Sequence, residues 1–218
     1  GMRRHYEDLP LTEQFFHCAP ENIYTNYRGA GIKTLYRNNG TFHRMGVHRP
    51  FKRVNAQAAD DAPSPYDDIT WRDAGGNAVD AKTVSWRTWQ GFRHDYARLH
   101  HYAIRSSDSF LVKRDRGRTN HVNMDQGQEY FDAMNTNYAR DYSMLKHVPG
   151  MLNELAKLRS DKVLNDLHAD AVAWHRAKII DIKAREDWAA FVEMTYQHTG
   201  QPRRALKRKF GSHAPEES

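Results

Sequence analysis

The chain has 218 residues and a hydrophobic fraction of only 39%, which allows one sizeable domain with an aromatic-rich core. No run approaches about eighteen apolar residues and no charged-then-apolar leader is found, so the sequence predicts neither a membrane span nor a secretion signal. The single cysteine, Cys18, excludes an intramolecular disulfide and a cysteine-cluster zinc site, and it suits a reducing cytoplasm. A net charge of +6 and an isoelectric point near 9.4 favour anionic partners.

Short segments in the first third of the chain predict strands and turns. Ile32–Arg37 alternates apolar and polar residues as a half-buried strand does, and residues 38–40 (Asn-Asn-Gly) predict a turn. A second short apolar segment covers residues 42–50. Residues 55–65 are rich in Ala, Asp and Pro and predict a surface loop, whereas residues 73–77 predict a hairpin turn.

The segment Leu99–His121 combines an alternating pattern with a dense basic stretch. Leu99–Ile104 predicts a strand, Ser106 or Ser107 can cap a following helix, and Gly117 predicts the end of that helix. The cations near this predicted helix end are Lys113, Arg114, Arg116 and Arg118. Such a cluster fits a binding site for an anion such as phosphate, and it equally fits a solvated basic helix face.

Amphipathic helices are predicted in the last part of the chain. Apolar residues recur at spacings of three and four over residues 125–137, 149–158 and a long segment that Asp161 caps. The apolar residues expected to face the core in that long segment include Trp174. A last helix ends before Pro202. The sequence therefore predicts an α+β fold, with short strands and loops first and helices afterwards.

Histidines and one glutamate are the candidate reactive groups. The histidines that could bind a metal ion or act as an acid or base are His48, His100, His101 and His121. Each of them alone also fits a half-buried imidazole bonded to the backbone. Glu13 is the candidate general base, because burial beside Phe15 and Phe16 would raise its pKa toward a useful range.

Aromatic and basic segments suggest further binding surfaces. Trp71, Trp86 and Trp89 could stack on sugar rings, although the same residues also fit a core. The basic run Arg203–Lys209 could contact an anionic membrane surface. Only Phe210 accompanies that run, which argues against a platform for nucleic acid.

Five segments occur in an order that resembles a known family. They are Pro10–Phe15, Ile32–Arg37, Gly46–Pro50, His101–Ser106 and Phe110–Arg118. The series resembles the C-terminal part of the bacterial glycosyltransferase family 2-like proteins of the "group 4" type, which have a GT-A fold. The resemblance spans about residues 3 to 140, and its most specific part is the pattern H-Y-x-x-R-S followed by F-x-x-K-x-x-R-G.

The resemblance implies a fold and an activity. It implies a partial GT-A-like mixed sheet over residues 1–122 and a helical extension over 123–200. It implies transfer of a sugar from a nucleotide-diphosphate donor to a carbohydrate acceptor hydroxyl, assisted by Mg²⁺ or Mn²⁺. From the sequence itself, residues 201–218 are expected to be a basic, flexible tail, and the protein is expected to be cytoplasmic, with contact to a membrane surface through that tail. The half of the fold that carries the Asp-x-Asp motif is expected to be missing from this chain.

The resemblance also assigns roles to individual residues. His48 or His101 matches the histidine that holds the metal–diphosphate group, and Glu13 is the expected base on the acceptor side. The residues expected to neutralise or bind the diphosphate are Arg105, Lys113, Arg116 and Arg118. The alternative is a non-catalytic module that binds anions or polysaccharide through the same basic and aromatic surface.

Overall fold

The computed structural model describes residues 3–19, 31–52, 69–80, 93–119, 122–137 and 139–198. The chain divides into a first unit, Gly1–Pro20 with Tyr102–Ser218, and a second unit, Glu21–His101. The predicted boundary at residue 122 therefore falls inside the first unit, and the predicted tail over 201–218 lies outside the described residues. Within the described ranges, no helix is both long enough and apolar enough to cross a bilayer.

The first unit is mainly helical. Its described helices are α1 (Leu11–Gln14), α2 (Ser107–Arg116), α3 (Gln128–Met134), α4 (Val148–Ser160), α5 (Lys162–Lys183) and α6 (Ala189–Gln197). Two 3₁₀ turns, Ser143–His147 and Glu186–Trp188, precede α4 and α6. The helices predicted over 125–137, 149–158 and after Asp161 are thereby confirmed, as is the last helix.

Short antiparallel pairs make up the described strands. In the first unit, β1 (His17–Cys18) pairs with β6 (Ala139–Arg140). In the second unit, β2 (Arg44–Met45) pairs with β3 (Pro50–Phe51), and β4 (Trp71–Arg72) pairs with β5 (Ala78–Val79). The α+β prediction is confirmed, and so is the predicted turn at 73–77, which joins β4 to β5.

Helix α2 begins and ends where its sequence predicts. The Ser106 hydroxyl accepts a hydrogen bond from the Ser109 backbone N–H at 3.1 Å, which satisfies one of the open donors of the first turn. Gly117 ends the helix with φ +80° and ψ −171°, a conformation that is strained for any residue with a Cβ. The backbone N–H of Gly117 donates to the Arg114 carbonyl at 3.0 Å and closes the last turn.

Two predicted strands are not formed. Leu99–Ile104 is irregular. The Ala103 carbonyl accepts a hydrogen bond from Lys113, and Arg105 follows the segment with a positive φ of +64°, which is not a strand conformation. Ile32–Arg37 is also irregular. There, the Lys33 and Thr34 side chains donate to backbone carbonyls of residues 47 and 48, so side chains replace a strand ladder.

Two apolar clusters position α2 in the first unit. One cluster contains Ile104, Phe110 and Phe131, with Phe191 packed against it. The members of the other cluster are Leu111, Val112, Ile179 and Ile182, and it also contacts Phe191. Helix α2 is therefore fixed on one side by α3 and α6 and on the other by α5, which holds its first turn in a defined position.

Candidate functional site

The basic end of α2 is largely used in internal contacts. Lys113 Nζ donates to the Ala103 carbonyl at 2.7 Å and to the Tyr130 hydroxyl at 2.9 Å. The Arg114 guanidinium donates to the Asp125 carboxylate and lies 3.9 Å from the Phe191 ring centroid. These two cations hold neighbouring segments of the fold together, which is the structural alternative to anion binding.

Asp115, near the same end of α2, pairs with two cations from outside this helix. Lys178 Nζ lies 2.9 Å from its Oδ2, and the Arg185 guanidinium donates to its Oδ1. The hydrogen bond from Lys178 lowers the pKa of Asp115 below its usual value, burial opposes that effect, and the hydrogen bond from Arg185 adds to it. Asp115 is therefore ionised and paired at neutral pH.

Arg116 and Arg118 differ from the other cations of this cluster. Arg116 is exposed and makes no hydrogen bond or ion pair with any described residue. Arg118 is half-buried, with its guanidinium 5.7 Å from the Tyr130 ring centroid. Both lie at the negative end of the α2 dipole, where cations stabilise the helix itself.

Arg105 occupies the opposite end of α2. It is the one described non-glycine residue with a positive φ, +64°, and its exposed side chain lines a groove in the first unit. A left-handed conformation costs on the order of 1 kcal/mol for a residue with a Cβ. Glycine would avoid that cost, so the presence of Arg at this turn points to a use for its side chain.

The groove lies between the N-terminal segment, the turn before α2 and one face of α5. It has a volume of about 460 Å³, within the range of roughly 300–1,000 Å³ typical of small-molecule sites. The residues that line it include Tyr6, Asp8, Gln14, Arg105, Ser109, His168, Trp174 and His175. Polar and aromatic side chains thus face the same space.

Two histidines on α5 meet polar partners in the groove. His168 Nε2 lies 3.0 Å from Asp8 Oδ2, and His175 Nε2 lies 3.3 Å from Ser109 Oγ. Burial lowers the pKa of His175, and the nearby Arg105 guanidinium lowers it further, so this imidazole is neutral at pH 7. The two residues are seven apart on one helix and therefore lie two turns apart on the same face.

Asp108 lies in the first turn of α2 and is only 4% exposed. Its Oδ1 lies 2.7 Å from Lys183 Nζ and accepts a hydrogen bond from the Tyr196 hydroxyl at 2.6 Å. Its Oδ2 accepts a hydrogen bond from the Tyr6 backbone N–H at 3.0 Å. Burial alone would raise the pKa of Asp108, but the hydrogen bonds from these three partners outweigh it and the net pKa is lowered.

These contacts fix both the helix and the N-terminal segment that forms one wall of the groove. The backbone N–H groups of Ser107 and Asp108 donate to the carbonyls of Arg3 and Arg4. The first turn of α2 therefore has protein partners for these amides, and an anion near this end would bind the Arg105 side chain rather than the helix backbone.

The two predicted metal ligands, His48 and His101, both belong to the second unit. His48 Nδ1 lies 2.9 Å from the Ile32 carbonyl oxygen, which can only accept, so Nδ1 carries the proton and Nε2 is the nitrogen left to bind a metal. Across the described ranges, no three His, Cys, Asp or Glu side chains form a group suited to a metal ion. The described residues therefore do not form a complete ligand set.

The other predicted residues are placed as follows. Glu13 is half-buried in α1, and it is not among the residues that line the groove. His121, Trp86, Trp89 and the run Arg203–Lys209 lie outside the described residues. The structure thus brings Arg105 to the groove and keeps Lys113, Arg116 and Arg118 at the far end of α2.

Sequence reasoning missed the residues on the α5 side of the groove. Trp174 was expected in the core, yet 61% of it is exposed. The spacing His168-x₆-His175 on one helix face is the signal that could have revealed this surface.

Comparisons with protein-family models, with curated proteins and with solved structures found no match.

Proposed function

We propose that this chain is a glycosyltransferase-like protein that passes a sugar from a nucleoside-diphosphate donor to an acceptor hydroxyl. The sequence pattern H-Y-x-x-R-S followed by F-x-x-K-x-x-R-G supports the family, including its partial GT-A-like mixed sheet. One observation supports a particular site for this activity: Arg105 has a left-handed backbone conformation, and its side chain lines a groove.

Other residues of the same pattern account for the local fold. Ser106 caps α2, Phe110 is fully buried and Lys113 donates to the Ala103 carbonyl. Arg105 is not needed for any of these contacts. A guanidinium matches the geometry of phosphate oxygens and stabilises the negative charge that develops as a nucleoside diphosphate leaves.

One diphosphate cannot contact both ends of α2. Arg105 and Arg116 are eleven residues apart, which corresponds to about 16 Å along a helix. Arg105 is the better candidate, because it lies at the groove and at the positive end of the helix dipole. Arg116 and Arg118 then act as surface cations that stabilise the C-terminal end of α2.

The divalent metal ion and the contact with a membrane surface also remain proposals. The resemblance implies Mg²⁺ or Mn²⁺ with His48 or His101 as a ligand, and both histidines belong to the second unit, so the ion is not assigned to the groove that contains Arg105. Because the described residues do not supply a full ligand set, no step is derived through the ion. Cytoplasmic location, and contact of Arg203–Lys209 with an anionic membrane surface, belong to the same proposal.

The proposal is tested by donor binding and donor hydrolysis. The purified chain is titrated with UDP and GDP by calorimetry, with and without Mn²⁺, and then incubated with UDP-glucose and GDP-mannose. We expect binding of at least one nucleoside diphosphate and slow release of it from the matching sugar conjugate, since water can replace the acceptor.

Uridine and guanosine monophosphates serve as the matched controls, because they lack the second phosphate. The glycosyltransferase proposal is wrong if neither diphosphate binds more tightly than its monophosphate and no sugar conjugate is hydrolysed. Binding of polysaccharide under those conditions would instead favour the non-catalytic module.

A further inference from the structure

The geometry points to the groove in the first unit as a saccharide-binding subsite, in which Trp174 stacks on a sugar ring and the Asp8–His168 pair contacts its hydroxyl groups. As the acceptor subsite of a transfer reaction, this assignment rests on the function proposed above. As a saccharide site, it rests only on the groove itself.

Trp174 supplies the flat surface. It lies on α5 at the groove, and 61% of it is exposed, although a tryptophan on a packed helix normally buries its ring. The face of an indole ring carries partial negative charge and attracts the weakly positive C–H groups on one side of a pyranose. An exposed indole beside polar groups is therefore suited to a ligand with one apolar face and a polar edge.

The polar edge of such a ligand has partners in the same groove. The Asp8 carboxylate is held through one oxygen by His168 at 3.0 Å, and its side chain is one-third exposed, so it can accept a hydrogen bond from a hydroxyl. Ser109 is held at 3.3 Å by the neutral imidazole of His175. Hydroxyl groups of a sugar both donate and accept hydrogen bonds, and these side chains include both hydrogen-bond acceptors and hydrogen-bond donors.

The charges favour a neutral ligand in the body of the groove. Glu7 is paired with Arg3 at 2.5 Å, and Asp8 is paired with His168. These two pairs leave little net charge in the body of the groove, which suits an uncharged ligand, whereas the Arg105 guanidinium adds positive charge from the turn before α2. A saccharide in the groove would thus place its hydroxyl groups on the same surface as the guanidinium proposed to bind the diphosphate.

The size of the groove limits the ligand to a short saccharide. A volume of about 460 Å³ suits a small molecule of one or two rings, and the groove is open along one side, so a longer chain could continue into solvent. Maltose, cellobiose and lactose are therefore suitable probes, since they share pyranose rings and differ in linkage and hydroxyl orientation.

The test measures saccharide binding to the full chain by calorimetry and by saturation-transfer NMR. We expect at least one of the three disaccharides to bind, Trp174→Ala to weaken that binding by about tenfold, and Trp174→Phe to weaken it by less than about threefold. Leu167→Ala is the matched control, because Leu167 is an exposed apolar residue of α5 that does not line the groove. His168→Ala is expected to weaken binding as well.

Donor hydrolysis separates this inference from the proposed function. Release of nucleoside diphosphate to water needs no acceptor, so the control Leu167→Ala should leave both the release and its stimulation by the disaccharide unchanged. Trp174→Ala should remove the stimulation. Hydrolysis without any saccharide binding overturns the subsite and leaves the proposed function in place. Saccharide binding that Trp174→Ala and Leu167→Ala weaken equally also overturns the assignment to the groove.

Discussion

Replacing Asp108 with alanine is expected to lower the free energy of unfolding by about 3 kcal/mol. Removing one partner of a buried ion pair typically costs about 3–5 kcal/mol, because the other charge stays buried without compensation. We expect the lower end of that range, since the Lys183 side chain is 30% exposed and water can partly solvate it. Tyr196 and the Tyr6 backbone N–H lose an acceptor at the same time. Urea unfolding at pH 7 measures the change.

The pH dependence of this effect follows from the lowered pKa of Asp108. A carboxyl whose folded pKa lies below its unfolded value, about 3.9, stabilises the fold above that value and loses the effect as pH falls through the folded pKa. The difference in stability between the parent chain and Asp108→Asn should therefore be constant between about pH 5 and pH 7 and shrink below about pH 4.

Asp166→Asn is the control for Asp108. Asp166 forms an exposed ion pair with Lys162 four residues earlier on the same helix, and exposed pairs of this kind contribute about 0.3–0.5 kcal/mol. A loss at Asp108 no larger than the loss at Asp166 would contradict the role of Asp108 in joining α2, α5, α6 and the N-terminal segment.

Replacing Phe110 with alanine is expected to lower the free energy of unfolding by about 3–5 kcal/mol. Phe110 is 0% exposed, and its ring lies 5.2 Å from that of Phe131 and 6.2 Å from that of Phe191, measured between centroids. The substitution leaves a cavity where α2, α3 and α6 meet. Since domains are stable by only about 5–15 kcal/mol, much of the total would be lost.

Two further substitutions, also measured by urea unfolding, give reference values for this loss in the free energy of unfolding. Phe110→Leu should cost about 1–2 kcal/mol, because most of the volume is retained. Leu164→Ala, on the exposed face of α5, should change stability by less than about 1 kcal/mol. A similar loss at Phe110 and Leu164 would show that Phe110 is not part of the core.

Helix α2 illustrates what the sequence contains about this fold. Ser106 and Gly117 act through neighbours within a few residues, as a cap and a helix end, so local patterns predict both. The apolar spacing predicts that Phe110 faces the core, although it does not identify Phe131 and Phe191 as its partners. Leu99–Ile104 has the side-chain alternation of a strand, but a strand also needs a partner. The alternation does not show whether a partner strand exists, nor does it reveal the positive φ of Arg105 directly after the segment.

The groove could not be predicted because its walls are far apart in the sequence. Asp8 and His168 are 160 residues apart, and their contact depends on how α5 packs against the N-terminal segment. The same packing explains Trp174, whose helical spacing fits a core stripe although α5 buries Ile179 and Ile182 instead. The sequence predicts correctly that the basic cluster after Phe110 lies at a helix end. It does not predict the partners of Lys113 and Arg114, because these partners are not part of the local pattern.

The central claim is that Arg105, and not the basic far end of α2, binds the diphosphate of a nucleotide donor. The affinity for UDP and GDP is therefore measured for the parent chain, Arg105→Gln and Arg116→Gln, together with the free energy of unfolding. We predict that Arg105→Gln weakens the affinity by more than about tenfold, as expected for loss of a hydrogen bond to a charged group, and that Arg116→Gln changes it by less than about twofold. An equal loss in both variants, or a loss confined to Arg116→Gln, would contradict the claim.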